Sequence, residues 1–241
     1  MKKVTTAFVL GAGLGTRLRP LTNTTPKPLL PLAGRPMITY AFDQLIQAGI
    51  ERIIVNTHHC AEKYQEVFPD NVYRSIPLVF RHEPDLLETG GGIKNIEDLL
   101  NPDAPLLVYN GDVLSTLPLQ PLIQHHCKMK CEASLGLRSK DQPRRVFCDT
   151  NGWVQDMRST RFPDSPGNTL FTGIYLIEYS FLRRLTHGKK ESVVPTFLKM
   201  IEEGTPPSGL IINEGLWIDV GTVEIYEELK DLSEHELLQH R

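Results

Sequence analysis

The sequence has little of three things, and each scarcity excludes a class of protein. The 241 residues include only four cysteines, Cys60, Cys127, Cys131 and Cys148. They are too few and too irregularly spaced for a disulfide framework. No apolar run approaches the roughly 20 residues of a membrane span, and the apolar stretch near the N-terminus is too short for a signal peptide. A net charge of -3 offers no basic excess for a nucleic-acid backbone. We therefore expect a cytoplasmic protein with reduced thiols that binds neither membranes nor nucleic acids.

The first half of the chain alternates apolar strands with amphipathic helices. "TAFVLG" is a continuous apolar run ended by glycine, which is typical of a strand covered on both faces. "PMITYAFDQLIQAGI" carries a helical apolar stripe of Ile38, Ala41, Phe42, Leu45 and Ile46. With the strands "ERIIVNTH", "IPLVFRHE" and "APLLVYNGD" and the helices "AEKYQEVF" and "GGIKNIEDLL", the order is β-α-β-α-β-α-β. We predict an α/β fold with a Rossmann-like, mostly parallel central sheet flanked by helices, whose ligands bind beyond the carboxyl ends of the strands.

The second half of the chain lacks this regular alternation of strands and helices, and it contains no repeat or linker. "CEASLGLRS" and "VFCDTNGWVQDMRS" indicate antiparallel strands, and "LFTGIYLIEYSFL" a returning strand followed by a helix. "VVPTFLKMIEEG" predicts a helix, "GLWIDVGT" a strand or loop, and "VEIYEELKDLSEHELLQH" one charged amphipathic terminal helix. We predict a single domain over 1–241, in which 116–241 forms a smaller antiparallel lid over a second substrate.

The loop "GAGLGTRLRP", residues 11–20, predicts a local anion site. Its glycines allow backbone amides to approach an anion closely, and two arginines follow. A dinucleotide fingerprint needs glycine where Thr16 stands and an acidic residue where the second strand ends in "NTHH". A P-loop needs a lysine that Gly15-Thr16-Arg17 lacks. A plain strand-to-helix turn does not account for the arginines and the "TPKPLLPLAGRP" that follows.

The segment "GAGLGTRLRPLTNTTPKPLLPLAGRPMI" resembles the signature loop of the sugar-1-phosphate nucleotidyltransferases. The pattern Gly-x-Gly-x-Arg, followed by Pro-Lys-Pro, is met by Gly13, Gly15, Arg17 and residues 26–28. "NGD" with Asp112 and "WIDVGT" with Asp219 match further segments in the same order. The resemblance implies the nucleotide-diphospho-sugar transferase fold, with a nucleotide-binding half over 1–115 and a sugar-binding half over 116–241. It also implies a reaction that joins a nucleoside triphosphate to a sugar 1-phosphate and releases pyrophosphate.

The resemblance also implies roles for individual residues. The substrate supplies the nucleophile, so the protein has to position the reactants and neutralise charge. Arg17 is expected to grip the β and γ phosphates, and Lys27 to lie between the α-phosphate and the sugar phosphate. The predicted nucleotide-binding residues are Leu10, Gly11, Ala12, Gly13, Gly15, Thr16, Glu83, Thr89 and Gly90.

Two aspartates are the candidate ligands of Mg²⁺, the expected cofactor. Asp112 ends a buried strand, where a carboxylate can face a cleft. Asp219 stands between Ile218 and Val220, so its side chain is predicted to point inward, where it needs a partner or a cation. Mg²⁺ uses one or two carboxylates together with substrate phosphates and waters.

The base and the sugar are less well specified. Glu83 stands where many relatives have a base-reading glutamine, and Glu88 where they have a glycine. A glutamate only accepts hydrogen bonds, which suits the adjacent N–H groups of guanine and also the single ring N–H of uracil. "LETGGGI" resembles the N-acetylmuramate 1-phosphate uridylyltransferases, so we favour UTP with N-acetylmuramate 1-phosphate. GTP with heptose or mannose 1-phosphate is the alternative.

The sugar contacts implied by the resemblance are Asn110, Thr172 and Gly173. A different class of function is a regulatory protein that binds nucleotide or sugar without turnover, but Arg17, Lys27, Asp112 and Asp219 are all present. We expect a monomer or a small homo-oligomer.

Overall fold

The structure is a computed structural model that describes residues 2–162 and 167–239. The two ends of the predicted 1–241 domain, and the last residue of the predicted terminal helix, lie outside the described residues. Residue contacts divide the chain into two compact units, and neither is a continuous stretch. Unit 1 comprises Met1–Val4, Leu87–Val108 and Pro118–Glu214, and unit 2 comprises Thr5–Leu86, Tyr109–Leu117 and Gly215–Arg241.

Strands and helices follow one another along the whole described chain. The strands are β1 (Thr6–Leu10), β2 (Pro31–Leu32), β3 (Arg35–Pro36), β4 (Arg52–Thr57), β5 (Val72–Tyr73), β6 (Ile76–His82), β7 (Leu106–Asn110), β8 (Val113–Ser115), β9 (Ala133–Arg138), β10 (Val146–Cys148), β11 (Val154–Met157), β12 (Leu170–Ile177), β13 (Ser208–Ile211) and β14 (Trp217–Asp219). The α-helices are α1 (Ile38–Gln47), α2 (Glu62–Val67), α3 (Glu88–Asn95), α4 (Leu119–Met129), α5 (Val193–Glu202), α6 (Val223–Leu229) and α7 (Glu234–Gln239). None of the described helices is long and apolar enough to cross a membrane.

Unit 2 contains the first three strands that the sequence predicts for the mostly parallel sheet. Its strand order is β1-β4-β6-β5, with β1 parallel to β4, β4 parallel to β6, and β5 antiparallel at the end. Helix α1 buries Ile38, Ala41, Phe42 and Leu45, as its apolar stripe predicts. Because β1, β4 and β6 are parallel, the residues that follow them meet at one edge. The glycine loop, "THH" and Glu83 therefore start from the same edge.

Unit 1 combines parallel and antiparallel pairing. Its strand order is β13-β9-β12-β7, with β9 antiparallel to β12 and parallel to β13. The last two residues of β7 belong to unit 2. Strands β10 and β11 form a small antiparallel sheet, and α5 forms where "VVPTFLKMIEEG" predicts it. The mixed α/β fold with a mostly parallel central sheet, flanked by helices, is confirmed. Helix α4 was not predicted, because only Leu119, Leu122 and His126 form its buried stripe and Pro121 stands in its first turn.

The predicted single terminal helix is in fact two helices, α6 and α7. Ser233 interrupts it by forming a capping box with Glu236: the Ser233 amide donates to Glu236 Oε2 over 2.8 Å, and the Glu236 amide donates to Ser233 Oγ over 3.3 Å. Serine followed three residues later by glutamate is the sequence signature of such a helix start. Both helices pack within unit 2, burying Tyr226, Leu229 and Leu237 in one apolar cluster.

Glu88 has a backbone conformation that is unusual for a residue with a side chain. It begins α3 with φ +61°, in the left-handed region that glycine adopts without a steric penalty. The position is the one at which related sequences were expected to carry glycine. Its side chain is exposed, and its carboxylate lies 3.8 Å from the Lys190 ammonium.

We expect Glu88→Gly to stabilise the protein by about 1 kcal/mol, because it removes the Cβ clash of the left-handed conformation. Lys199→Gly, in the exposed interior of α5 in the same unit, is the matched control and should cost about 1 kcal/mol. Urea unfolding of the three proteins measures both effects. Equal losses at the two positions would contradict the assignment of strain to Glu88.

Candidate active site

The first two residues of the glycine loop are held by the protein itself. Asn56 Oδ1 accepts the amides of Gly11, over 2.8 Å, and Ala12, over 3.2 Å, and the Tyr64 hydroxyl donates to the Gly11 carbonyl over 3.1 Å. A Cβ on Gly11 would lie 2.8 Å from both Asn56 O and Tyr64 Oη. Glycine at 11 is therefore required by packing, and two of the amides expected to bind the nucleotide already have partners.

The loop opens after Ala12. A Cβ on Gly13 would meet nothing within 4 Å, and Leu14, Thr16 and Arg17 are exposed. Within the described part of the chain the amides of Gly13 and Leu14 make no hydrogen bond. Gly15 turns the chain with φ +56°, and its carbonyl accepts the Leu18 amide and the Thr22 hydroxyl. The part of the loop available to an anion thus begins at Gly13.

Lys27 and two aspartates form the charged centre of unit 2. The Lys27 side chain leaves a turn between two buried prolines and is only 8% exposed. Its Nζ lies 2.6 Å from Asp112 Oδ2 and 3.9 Å from Asp219 Oδ1. Two carboxylates separated by more than 100 residues in the sequence therefore face one cation.

Short-range backbone contacts explain how the two aspartates come together. The Gly111 amide donates to the carbonyl of Leu10 over 3.0 Å, and a Cβ on Gly111 would lie 2.6 Å from that oxygen. Asp112 is thereby held beside the end of β1. Strand β14 pairs antiparallel with β8, with Asp219 opposite Val113, and the Val220 amide donates to the Asp112 carbonyl over 3.2 Å.

Asp219 differs in one respect from the prediction. Val220 is fully buried, but the Asp219 side chain is 48% exposed rather than inward-facing. Its partial burial and the nearby Asp112 carboxylate raise the pKa of Asp219, and the positive charges of Lys27 and Arg17 oppose that rise. An exposed carboxylate with a like-charged neighbour is available to a second cation.

Arg17 also belongs to this centre. Its two terminal guanidinium nitrogens lie 3.0 and 3.2 Å from the point where a Cβ on Gly221 would stand, and Asp219 Oδ1 lies 3.0 Å from the same point. Gly221 therefore leaves room for Arg17 and Asp219 together. The sequence signal for Gly221 is its place in "WIDVGT", next to an aspartate already singled out.

Glu83 lies at the edge of unit 2 where β1, β4 and β6 end, as predicted, but its carboxylate is not exposed. The residue is fully buried, and Oε1 accepts the Asn56 amide group over 2.7 Å. A carboxylate turned toward the protein interior gives no support to the prediction that it reads a base. Asn56 itself was missed, although an asparagine inside the apolar run "RIIVNT" is a detectable signal.

Thr89 and Gly90 lie in unit 1, where both make packing contacts. The Thr89 hydroxyl accepts the Val193 amide at the start of α5, and the Gly90 amide donates to the Glu191 carbonyl. A Cβ on Gly90 would lie 2.9 Å from that carbonyl oxygen. These contacts explain the small residues of "ETGGG" without reference to a ligand.

Thr172 and Gly173, the predicted sugar contacts in unit 1, form an irregularity in β12. The register with β9 shifts between Phe171 and Tyr175, and Gly173 has φ +76°. The Thr172 hydroxyl donates to the Gly136 carbonyl and accepts the Ile174 amide. Asn110, the third predicted contact, is half-buried in unit 2, two residues before Asp112.

The residues around Lys27 fit a magnesium ion. Asp112 and Asp219 are hard oxygen donors that already share one cation, as the Lys27 distances show. In the described ranges no group of three or more histidine, cysteine or acidic side chains is placed to hold a metal. Mg²⁺ needs no such group, because it completes its coordination with water and substrate phosphates.

A family comparison connects this geometry to known proteins. The model of the nucleotidyl transferase family matches residues 6–236, which include Arg17, Lys27, Asp112 and Asp219. The chain belongs to this family.

Curated proteins with similar sequences include two mannose-1-phosphate guanylyltransferases. The mannose-1-phosphate guanylyltransferase of Mycobacterium tuberculosis is 32% identical over 223 residues, which are 90% of this chain and 61% of that protein. The mannose-1-phosphate guanylyltransferase catalytic subunit beta of Drosophila melanogaster is 30% identical over 90% of this chain and 59% of that protein. The chain thus spans about three fifths of the length of these relatives.

Solved structures share the fold over almost the whole chain. UDP-glucose pyrophosphorylase from Acinetobacter baumannii has a TM-score of 0.80 at 19% identity and covers 99% of this chain and 95% of its own. HddC from Yersinia pseudotuberculosis has a TM-score of 0.77 at 22% identity, and the match covers 95% of this chain and 99% of HddC. At these identities the likeness establishes the nucleotide-diphospho-sugar transferase fold.

Two conservative variants separate the roles of the aspartates. Because the pKa of Asp219 is raised above its ordinary 3.8, its ionisation lowers stability as the pH rises through that interval. At pH 7 in EDTA we expect Asp219→Asn to unfold at the wild-type temperature or above. Asp112→Asn should unfold at a lower temperature, because it leaves the buried Lys27 ammonium without its nearest carboxylate.

Thermal unfolding at pH 7 and pH 3, with and without Mg²⁺, measures these effects. The stability of wild type and Asp219→Asn should converge at pH 3. Mg²⁺ should raise the unfolding temperature of the wild type more than that of either variant. A large loss of stability in Asp219→Asn at pH 7 would refute the repulsion between the carboxylates.

Proposed function

We propose that the protein is a sugar-1-phosphate nucleotidyltransferase, which joins a nucleoside triphosphate to a sugar 1-phosphate and releases pyrophosphate. The observation that carries the proposal is the cluster of Arg17, Lys27, Asp112 and Asp219 in a chain of this family. A phosphate oxygen of the sugar attacks the α-phosphorus in line, and pyrophosphate leaves on the opposite side.

The protein residues in this reaction bind and neutralise charge. The loop from Gly13 onward offers free amides to the triphosphate, and Arg17 follows it as a planar donor for the β and γ phosphates. Lys27 supplies a fixed positive charge to the α-phosphate as charge develops there. The buried turn around Lys27 restricts the position of the ammonium, so the side chain needs little reorganisation during phosphoryl transfer.

Asp112 and Asp219 would hold the Mg²⁺ ion, which when bound adds positive charge at the triphosphate. Lys27 Nζ lies beside the same two carboxylates, 2.6 Å from Asp112 Oδ2 and 3.9 Å from Asp219 Oδ1.

For the substrates, we propose UTP and N-acetylmuramate 1-phosphate, on the resemblance carried by "LETGGGI". Asn110, Thr172 and Gly173 are the proposed sugar contacts, and Thr89 and Gly90 stay proposed nucleotide contacts. GTP with mannose 1-phosphate is the second candidate, and the names of the curated relatives favour it. Because the Glu83 carboxylate is buried, neither choice rests on that side chain.

Pyrophosphate release tests the reaction and its substrates together. We expect release when UTP is paired with N-acetylmuramate 1-phosphate, and Mg²⁺ should be required. The panel should pair UTP, GTP, ATP and CTP with muramyl, mannosyl, glucosaminyl and heptosyl phosphates. A preference for GTP with mannose 1-phosphate would select the second candidate, and no release from any pairing would favour a binding protein without turnover.

Lys27→Met should lower kcat by about 100- to 1,000-fold, because one preorganised charge at the reacting phosphate is lost. The Kd of the nucleotide, measured by calorimetry, should change much less. Lys63→Met is a control at a partly exposed lysine in the same unit and should leave both values unchanged. A Lys27→Met variant with wild-type kcat would refute its role at the α-phosphate.

A further inference from the structure

A buried amide links two chain segments that carry different parts of unit 2. Asn56 lies in β4 between Val55 and Thr57, is 2% exposed, and uses both ends of its side chain. Oδ1 accepts the Gly11 and Ala12 amides, and Nδ2 donates to Glu83 Oε1 over 2.7 Å. A buried amide stays in an apolar strand without a large cost only when it is paired in this way.

Glu83 determines which way the Asn56 amide faces. Glu83 Oε1 accepts from the Nδ2 end, and the planar amide group then directs Oδ1 to the glycine loop. The reverse orientation would set an NH₂ group against two N–H donors. Glu83 is itself fixed by its backbone: its amide donates to the Thr57 carbonyl, and its carbonyl oxygen contacts His58 Nδ1 at 2.8 Å.

The hydrogen bonds of Asn56 also determine where the free amides of the glycine loop begin. The Asn56 contact ends at Ala12, and the free amides begin at Gly13, one residue later. The position of the first free amide is therefore set by the last amide that Asn56 holds. Tyr64 holds the Gly11 carbonyl at the same place, so this end of the loop is tied on both sides.

We propose that Asn56 and Glu83 are a pair of positioning residues, which fix the base of the glycine loop so that the amides from Gly13 onward face the triphosphate. The pair acts through the loop and touches no substrate. The proposal rests on the proposed function in one respect, that the loop binds phosphates. It assigns the buried Glu83 a role in place of reading the base.

An exchange of the amide and the carboxyl group between the two residues tests the pair. Asn56→Asp keeps an acceptor for the Gly11 and Ala12 amides, but it loses the amide donor to Glu83 and buries two carboxyl groups together. Glu83→Gln in the same protein restores a donor and an acceptor between the two side chains, with the carboxyl group moved to residue 56. The double variant should therefore recover what the Asn56→Asp single variant loses.

Binding of inorganic tripolyphosphate in the presence of Mg²⁺, measured by calorimetry on the full chain, is the readout. We expect Asn56→Asp to weaken binding at least tenfold and Asn56→Asp/Glu83→Gln to return it to within about threefold of wild type. Phe42→Leu, in the core of α1, is a control for lost stability and should lower the unfolding temperature without weakening tripolyphosphate binding. If Asn56→Asp alone does not fold, folding and binding by the double variant decide the question.

Three results distinguish this inference from the proposed function. The positioning pair alone is overturned if Asn56→Asp binds tripolyphosphate as tightly as the wild type does. It is also overturned if the double variant folds but does not recover binding. Recovery in the double variant together with no pyrophosphate release from any substrate pairing supports the pair and overturns the proposed function. A wild type that binds no tripolyphosphate overturns both.

Discussion

Two aspartates held side by side are the constraint on which the rest of unit 2 depends. Carboxylates repel each other, so their proximity has to be enforced by the backbone and balanced by a cation. The antiparallel pairing of β8 with β14 enforces it, and the Lys27 ammonium, at 2.6 Å from Asp112 and 3.9 Å from Asp219, balances it. Burial raises the pKa of Asp219, and the neighbouring Asp112 carboxylate raises it further.

The glycines around this centre are explained by close approach more than by turns. Gly111 lets Asp112 come beside the end of β1, Gly221 leaves room for Arg17 next to Asp219, and Gly11 fits against Asn56 and Tyr64. Each brings a charged or polar group to within about 3 Å of backbone, which a Cβ would prevent. The loop is thus divided into a first part fixed by the protein and a second part open to an anion.

In unit 1, packing explains the small residues of two predicted site segments. The small residues of "ETGGG" allow α3 to lie against the segment before α5, through the Gly90 amide and the Thr89 hydroxyl. Thr172 and Gly173 form an irregularity that the Thr172 hydroxyl holds from both sides. A role of these residues in nucleotide or sugar binding would therefore act through backbone groups that packing has already positioned.

The sequence by itself determined the α/β class, the parallel strands of unit 2, the helix α5 and the four charged residues of the centre. Those features follow from local periodicity, from one long motif and from the two short segments "NGD" and "WIDVGT", which need no knowledge of distant contacts. Only the tertiary structure decided the exposure of Asp219, the burial of Glu83, the break between α6 and α7 at the Ser233 cap, and the partner of Asn56. The direction of a side chain at a strand end depends on what packs against it from elsewhere in the chain, and a linear pattern does not contain that information.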